Sequence, residues 1–208
     1  MSARALVVCA DATQMLPALP SDCVDAVVTD PPWNLGRPYG RNRDQLPDED
    51  YVSWLNEALA ECCRVSTGPV VACIGAHNAQ RIDQLLLGTG LQVAHRLSWH
   101  RESGKPETVV VAAPPGWAAA RPRVDAADRV LRRTPELRRR WAHPVPKPVA
   151  MMAALVQLAC PRGGLLLDPF AGTGSTLVAA HRAGRRSIGL ELEEDYCRTA
   201  VRRLRHGP

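Results

Sequence analysis

Short apolar runs bounded by turn residues alternate along this chain with stretches of helical period. Residues Ala5–Cys9, 24–29, Val70–Ile74, Gln92–Trp99, 108–112, 165–167 and 187–190 have the length and composition of strands, and several show no polar alternation, the mark of burial on both faces. From Tyr51, the positions Val52, Leu55, Leu59 and Cys62/Cys63 recur at helical spacing to about Ser66, where Gly68-Pro69 stops the helix. Residues 78–87, ended by Gly88, form a second predicted helix, and residues 149–160, broken by Gly163-Gly164, form a third. Two more run from Ser175 to about Ala183 and over 194–205, the last basic on its exposed side. This alternation at βαβ spacing predicts an α/β fold, a mainly parallel sheet covered by helices on both faces.

Two polar stretches interrupt the pattern. Residues 34–50, rich in Gly, Pro, Arg, Asn and Asp, have no apolar period and read as a loop with the character of a lid. Residues 117–142 read as an arginine-rich excursion of two short helices, the second opened by Thr134 as cap and Pro135 in its first turn. His143-Pro144-Val145-Pro146-Lys147-Pro148 follows as a proline-stiffened linker. A chain of 208 residues suits one domain, 1–208, with halves 1–116 and 143–208 flanking the excursion 117–142.

Composition narrows the class. No apolar run approaches a membrane span and no charged-then-apolar leader opens the chain, so a soluble cytoplasmic protein is expected. The seven cysteines include no Cys-x-x-Cys pair and no Cys/His cluster at zinc spacing; reduced thiols and no metal are expected. Cys9, Cys62, Cys63, Cys73 and Cys160 are expected to pack as small hydrophobes. The net charge is +5, and residues 121–140 alone hold eight arginines against Asp125, Asp128 and Glu136, so the remainder of the chain is neutral. Such a segment is an electrostatic footprint for nucleic acid.

The chemistry concentrates in two places. Asp30-Pro31-Pro32-Trp33 lies at the carboxyl end of the strand 24–29, where open α/β sheets bind ligands. Two prolines cannot donate backbone hydrogen bonds and hold their carbonyls as free acceptors on a stiff support, Asp30 adds a carboxylate, and Trp33 adds a flat apolar face. These suit a planar group bearing an exocyclic amine, such as a nucleobase: acceptors take the amine hydrogens while the indole stacks. The second place is Asp168-Pro169-Phe170-Ala171-Gly172-Thr173-Gly174-Ser175-Thr176, a strand end, a glycine turn and a helix start that offers N–H groups to a ligand. Glu191, 17 residues past Gly174 at the end of the next strand, stands where an acid holds ribose hydroxyls. Lacking the full dinucleotide fingerprint, these parts fit a nucleoside cofactor without pyrophosphate, S-adenosylmethionine.

The ordered set Asp-Pro-Pro-Trp, His-Pro-x-x-Lys-Pro, Asp-Pro-Phe-x-Gly-x-Gly-Ser-Thr and Ile-Gly-x-Glu with a following Tyr resembles the permuted (β-class) S-adenosylmethionine-dependent amino-methyltransferases of nucleic acid. The resemblance covers residues 6–113 and 143–205 and implies a Rossmann-like methyltransferase fold with a seven-stranded sheet. It further implies that Asp30, Pro31, Pro32 and Trp33 are catalytic and that Glu191 holds the cofactor ribose. Asp168, Phe170, Gly172 and Gly174 would surround its methionine part, with Ser175 and Thr176 opening the helix beside it, and Asp11 would lie near its adenine. His143 and Lys147 would border the pocket. The strands before Asp30 and Asp168 would be neighbours at the switch point, so Asp30 would face cofactor and amine together. The implied activity is methyl transfer to adenine N6 in DNA, since Asp opens the catalytic motif. Cytosine N4, RNA or a nucleoside, or a nucleic-acid-binding subunit role, are the alternatives. The protein is expected to act as a monomer or homodimer, and the short excursion departs from the larger recognition region usual in such DNA enzymes.

If the excursion grips nucleic acid, Arg138, Arg139 and Arg140 neutralise phosphates, and affinity falls with salt at a log–log slope of about −0.9 per duplex phosphate contacted. Replacing all three by Gln is expected to flatten that slope by up to roughly three units and to weaken binding across sequences alike. A titration over several salt concentrations checks this; an unchanged slope removes the binding role.

Overall fold

The computed structural model describes residues 4–40, 42–79, 81–86, 88–99, 106–117, 124–125, 127, 131 and 146–206. The elements run β1 (Ala5–Cys9), α1 (Ala12–Met15), β2 (Ala26–Thr29), β3 (Pro38–Tyr39), β4 (Asn42–Arg43), α2 (Asp48–Val65), β5 (Val70–Ile74), α3 (Ala76–Ala79) and α4 (Ile82–Leu85). They continue with β6 (Gln92–Trp99), β7 (Glu107–Ala113), α5 (Val149–Ala159), β8 (Leu165–Asp168), α6 (Ser175–Arg182), β9 (Arg186–Glu191) and α7 (Glu194–His206).

Seven strands form one sheet in the order β1-β9-β8-β2-β5-β7-β6. The pairs β1/β9, β9/β8, β8/β2 and β2/β5 are parallel, while β7 runs antiparallel to both of its neighbours. The reversal follows from chain length: residues 100–106 between β6 and β7 are too few for a parallel crossover, which takes about a dozen residues or more, and suffice for a hairpin.

β2 is buried along its whole length, and its alternate side chains feed two cores. Val27 packs with Leu55, Leu59 and Cys62 of α2 on one face; Ala26 and Val28 pack with Met151, Met152 and Leu155 of α5 on the other. That double cover is why β2, β5 and β8 read as unbroken apolar runs. β2 and β8 lie side by side, Ala26 opposite Leu166 and Val27 opposite Leu167. Successive strands then step away from them in opposite directions, which opens a crevice at their carboxyl ends.

Several expectations are revised. The loop 34–50 contains the hairpin β3–β4, and α2 begins at Asp48, where Asp48, Glu49 and Asp50 place acids on the first turn and so hide it from an apolar count. The helix expected over 78–87 is two single turns, α3 and α4; Asn78 donates its amide to the Tyr51 hydroxyl at 3.0 Å. The segment after β1 opens with α1, capped by Asp11. Cys9 is exposed, because β1 is an edge strand, whereas Cys62, Cys63, Cys73, Cys160 and Cys197 are buried. In the excursion, Ala127 and Leu131, four positions apart, are buried in the α5-side core. Arg138, Arg139, Arg140 and His143 lie outside the described residues.

The final helix is basic outside, but Arg203 points inward at 4% exposure. Its guanidinium donates to the Thr173 carbonyl at 2.6 Å and to the Thr173 and Ser175 hydroxyls at 3.0 and 3.3 Å. Beside this clamp, Gly174 caps α6 at φ 81°, and a Cβ there would stand 2.8 Å from the Cβ of Ala200 in α7. Gly174 thus lets α7 close on the turn. Gly174→Ala combines left-handed strain with overpacking and is expected to destabilise the fold by roughly 1–3 kcal/mol. Urea denaturation of the variant against the parent measures it.

Candidate active site

Asp11 follows β1, Glu191 ends β9, Asp168 ends β8 and Asp30 follows β2, so four acids stand at the carboxyl ends of four adjacent strands. They border one cavity of about 310 Å³, closed further by Tyr39 and Phe170. The two motifs are therefore brought together by the β2–β8 pairing.

On the glycine-turn side, Asp168 is buried and ties the two central strands: its Oδ1 accepts from the Thr29 hydroxyl at 2.8 Å and from the Phe170 N–H at 3.1 Å. Burial pushes its pKa up to about 6, against hydrogen bonds from Thr176, Thr29 and Phe170 that favour the ionised form. Glu191 accepts the Gly172 N–H at Oε2, 2.7 Å, and the Glu193 N–H at Oε1, 2.8 Å, which fixes the carboxylate at the cavity wall. Burial raises its pKa as well, and the backbone N–H groups of Glu193 and Gly172 oppose the rise. Asp11 accepts from the Thr13 N–H and hydroxyl at 2.9 and 2.7 Å. Gly172, at φ 53°, bares main chain to the cavity, and Ser175 and Thr176 line it at the start of α6; Gly174 faces α7 instead.

On the Asp-Pro-Pro-Trp side, Asp30 Oδ2 is paired with the Lys147 ammonium at 2.9 Å, and the same ammonium reaches Glu107 Oε2 at 3.1 Å. It also lies 4.6 Å from the ring centroid of Trp33 and 5.7 Å from that of Trp99, where ring quadrupoles attract a cation. Lys147 is 6% exposed and Glu107 3%, whereas the Asp30 side chain is 25% exposed toward the cavity. Burial raises Asp30 to about 6, with Lys147 opposing and Glu107 adding to the rise. Burial alone would lower Lys147, but Asp30 and Glu107 outweigh it and hold the ammonium above its ordinary pKa. Asp30 Oδ1 is buried and makes no hydrogen bond of good geometry among the described residues.

Trp33 donates its indole N–H to the Cys73 carbonyl at 3.2 Å and lies near enough to Asp30 to favour its ionised form slightly. The prolines' carbonyls are not both free: Tyr51 donates its hydroxyl to that of Pro32 at 2.9 Å, which braces the motif from α2. Pro32 lines the cavity; Pro31 and Trp33 stand behind its wall.

The stretch after Trp33 crosses the cavity as a strap. Asn34, at φ 60°, exchanges hydrogen bonds with the backbone of Leu46 at 2.9 and 2.7 Å, and Tyr39 reaches the cavity from β3. At the far side, the Gly40 N–H donates to the Tyr196 hydroxyl at 3.2 Å and the Asn42 amide to Glu193 at 2.6 Å.

Glu107 and Arg203 escaped the sequence reading. Glu107 had a signal, an acid opening a strand otherwise apolar but for Thr108; Arg203 had none, being one arginine of several on a basic helix. Among the described residues no cluster could hold a metal ion, and no helix is long and apolar enough to cross a membrane.

A mostly parallel seven-stranded sheet with a glycine turn and an acid on successive strand ends, and a second motif across the switch point, defines an S-adenosylmethionine-dependent methyltransferase of Rossmann-like fold. The DNA methylase family matches residues 24–113 and 120–202, and this chain belongs to it, a DNA methyltransferase of the N6/N4 type. It is similar to the DNA adenine methyltransferase YhdJ of Escherichia coli (strain K12), 24% identical over 237 residues that cover 93% of this chain and 80% of that protein. Its fold is similar to that of TTHA0409 of Thermus thermophilus complexed with S-adenosyl-L-methionine, at TM-score 0.72 and 26% identity, over 98% of this chain and 93% of that one. It is also similar to the cytosine-N4-specific PvuII DNA methyltransferase, at TM-score 0.77 and 16% identity, over 97% and 86% of the two chains. The cavity's own residues fit the cofactor, with carboxylates at Asp11 and Glu191 and bared main chain at Gly172.

Proposed function

We propose that the protein methylates the exocyclic N6 amine of adenine in DNA and that Asp30 is the residue that receives the amine. The observation that carries this reading is the Asp30 carboxylate at the wall of the cavity, its side chain a quarter exposed and facing the same space as the glycine turn. Asp at the head of the motif and the likeness to YhdJ support adenine as the base.

Glu191 and Asp11 would hold the sugar and adenine ends of S-adenosylmethionine, with Gly172 and Phe170 along its methionine part. When bound, the cofactor supplies a methyl group made electrophilic by its sulfonium. An aromatic amine is a poor nucleophile because its lone pair is drawn into the ring. The Asp30 carboxylate would accept an N–H hydrogen and favour a tetrahedral nitrogen whose lone pair is available. As the nitrogen gains a carbon it must lose a proton, and Asp30, ionised at neutral pH yet raised to about 6, is a suitable acceptor. In duplex DNA the base must first leave the stack, and the aromatic face of Tyr39 in the strap would offset part of that cost.

Three outcomes are expected. Asp30→Ala should lower turnover by about a hundredfold or more while cofactor binding survives, and Glu191→Ala should weaken cofactor binding; calorimetry beside turnover separates them, and lost cofactor binding in a folded Asp30→Ala would refute the assignment. Because Asp30 must be ionised and its pKa is raised, kcat/KM should fall as pH drops through about 6, not near the ordinary carboxylate value. Incubation with labelled cofactor and DNA, RNA or nucleosides, followed by digestion, identifies the base: N6-methyladenine in DNA is expected, and N4-methylcytosine or label confined to RNA would overturn the proposal.

A further inference from the structure

Lys147 and Glu107 are charges buried beside the cavity, and neither belongs to the catalytic tetrapeptide or the glycine turn. Burying a lysine is costly unless its hydrogens are taken up; here two carboxylates and two indole rings surround it. Glu107 comes from the first position of β7, opposite Trp99 of β6, so the sheet fixes its place. Lys147 comes from a segment flanked by Pro146 and Pro148, where φ is restrained on both sides. Two rigid supports thus deliver one cation to one oxygen of Asp30.

We propose that Glu107 and Lys147 are positioning residues for the catalytic carboxylate: Glu107 anchors the Lys147 ammonium, which pairs with Oδ2 of Asp30 and so fixes the carboxylate in one orientation at the cavity. This rests on the reading of Asp30 as the group that receives the amine. The pairing holds the carboxylate plane fixed, and an acceptor in a fixed place selects one orientation of the planar base. It also sets the charge balance. The titratable and charged groups around Asp30 are Lys147, Glu107 on β7, Asp168 on β8, Cys73 on β5, and the Tyr39 and Tyr51 hydroxyls. Among these described residues Lys147 is the cation. It favours ionised Asp30, and Glu107 disfavours it. Removing each should therefore move Asp30 in opposite directions.

The test reads the Asp30 carboxyl directly, by carbon-13 NMR titration of protein labelled at aspartate, with the signal assigned through Asp30→Asn. Glu107→Gln is expected to lower the midpoint of Asp30 and Lys147→Met to raise it, each by about one pH unit or more. The acid limb of kcat/KM should follow in the same directions, with kcat reduced in both variants and affinity for S-adenosylmethionine unchanged. Lys147→Arg, which keeps the charge, should restore the parent midpoint. Should Lys147→Met fail to fold, the double variant with Glu107→Gln removes both charges, and its midpoint should lie above that of Glu107→Gln alone. Unmoved midpoints, or shifts of the same sign, overturn the proposal, as does loss of cofactor affinity in Lys147→Met without a shift, which would make Lys147 a cofactor ligand. The NMR arm needs no turnover, so it reports on the pairing whichever base is methylated, while absence of methyl transfer to any nucleic acid refutes the parent reading of Asp30.

Discussion

The contact on which this structure depends is the parallel pairing of β2 with β8. Each strand ends in a loop that borders the cavity, and strand spacing of about 4.8 Å puts the two loops within reach of one bound molecule. The hydrogen bond from Thr29 to Asp168 crosses that seam at its carboxyl end, where both strands give way to irregular chain. Elements farther out act on this seam. α2 reaches Pro32 through Tyr51, α7 clamps the glycine turn through Arg203, and β7 presents Glu107 to the lysine that holds Asp30.

Much of this order is visible in the residues because double burial leaves a plain mark. β2, β5 and β8 are covered on both faces, so their sequences are apolar runs that turn residues delimit. The acids and glycines at their ends stand out against that background, which is why Asp30, Asp168, Gly172 and Glu191 could be named. What escaped was set by tertiary contact. Arg203 looks like its neighbours on α7, and only the packing of Ala200 on Gly174 turns it inward. The Pro32 carbonyl reads as a free acceptor until Tyr51, nineteen positions away, is seen to occupy it. The first turn of α2 was hidden for a local reason: three acids that suit a helix start carry no apolar period.

The site is also a study in charge held away from water. Asp30, Glu107, Asp168 and Glu191 lie within a small volume, and Lys147 is the cation set among the first two. Hydrogen bonds favour the ionised forms of Asp168 and Glu191, and that ammonium favours the ionised form of Asp30. Each therefore has a defined set of donors: hydroxyl and backbone for Asp168, two backbone groups for Glu191, lysine for Asp30. The difference between the first two and the third matters, because backbone donors are tied to the fold whereas a side-chain cation can be changed by a single substitution.

The seam has a cost in time as well as a role in space. Thr29 and Asp168 are separated by 139 positions, and the strands that flank them in the sheet are distributed between both ends of that interval. A growing chain that has made β2, α2 and β5 holds an apolar strand whose second edge has no partner until residues 165–168 arrive. Loop-closure entropy over such a span must be met before the central contacts offset it. The permuted order therefore places the closing of the β2–β8 seam late in synthesis, and for that interval the edge of β2 is open to pairing with another chain.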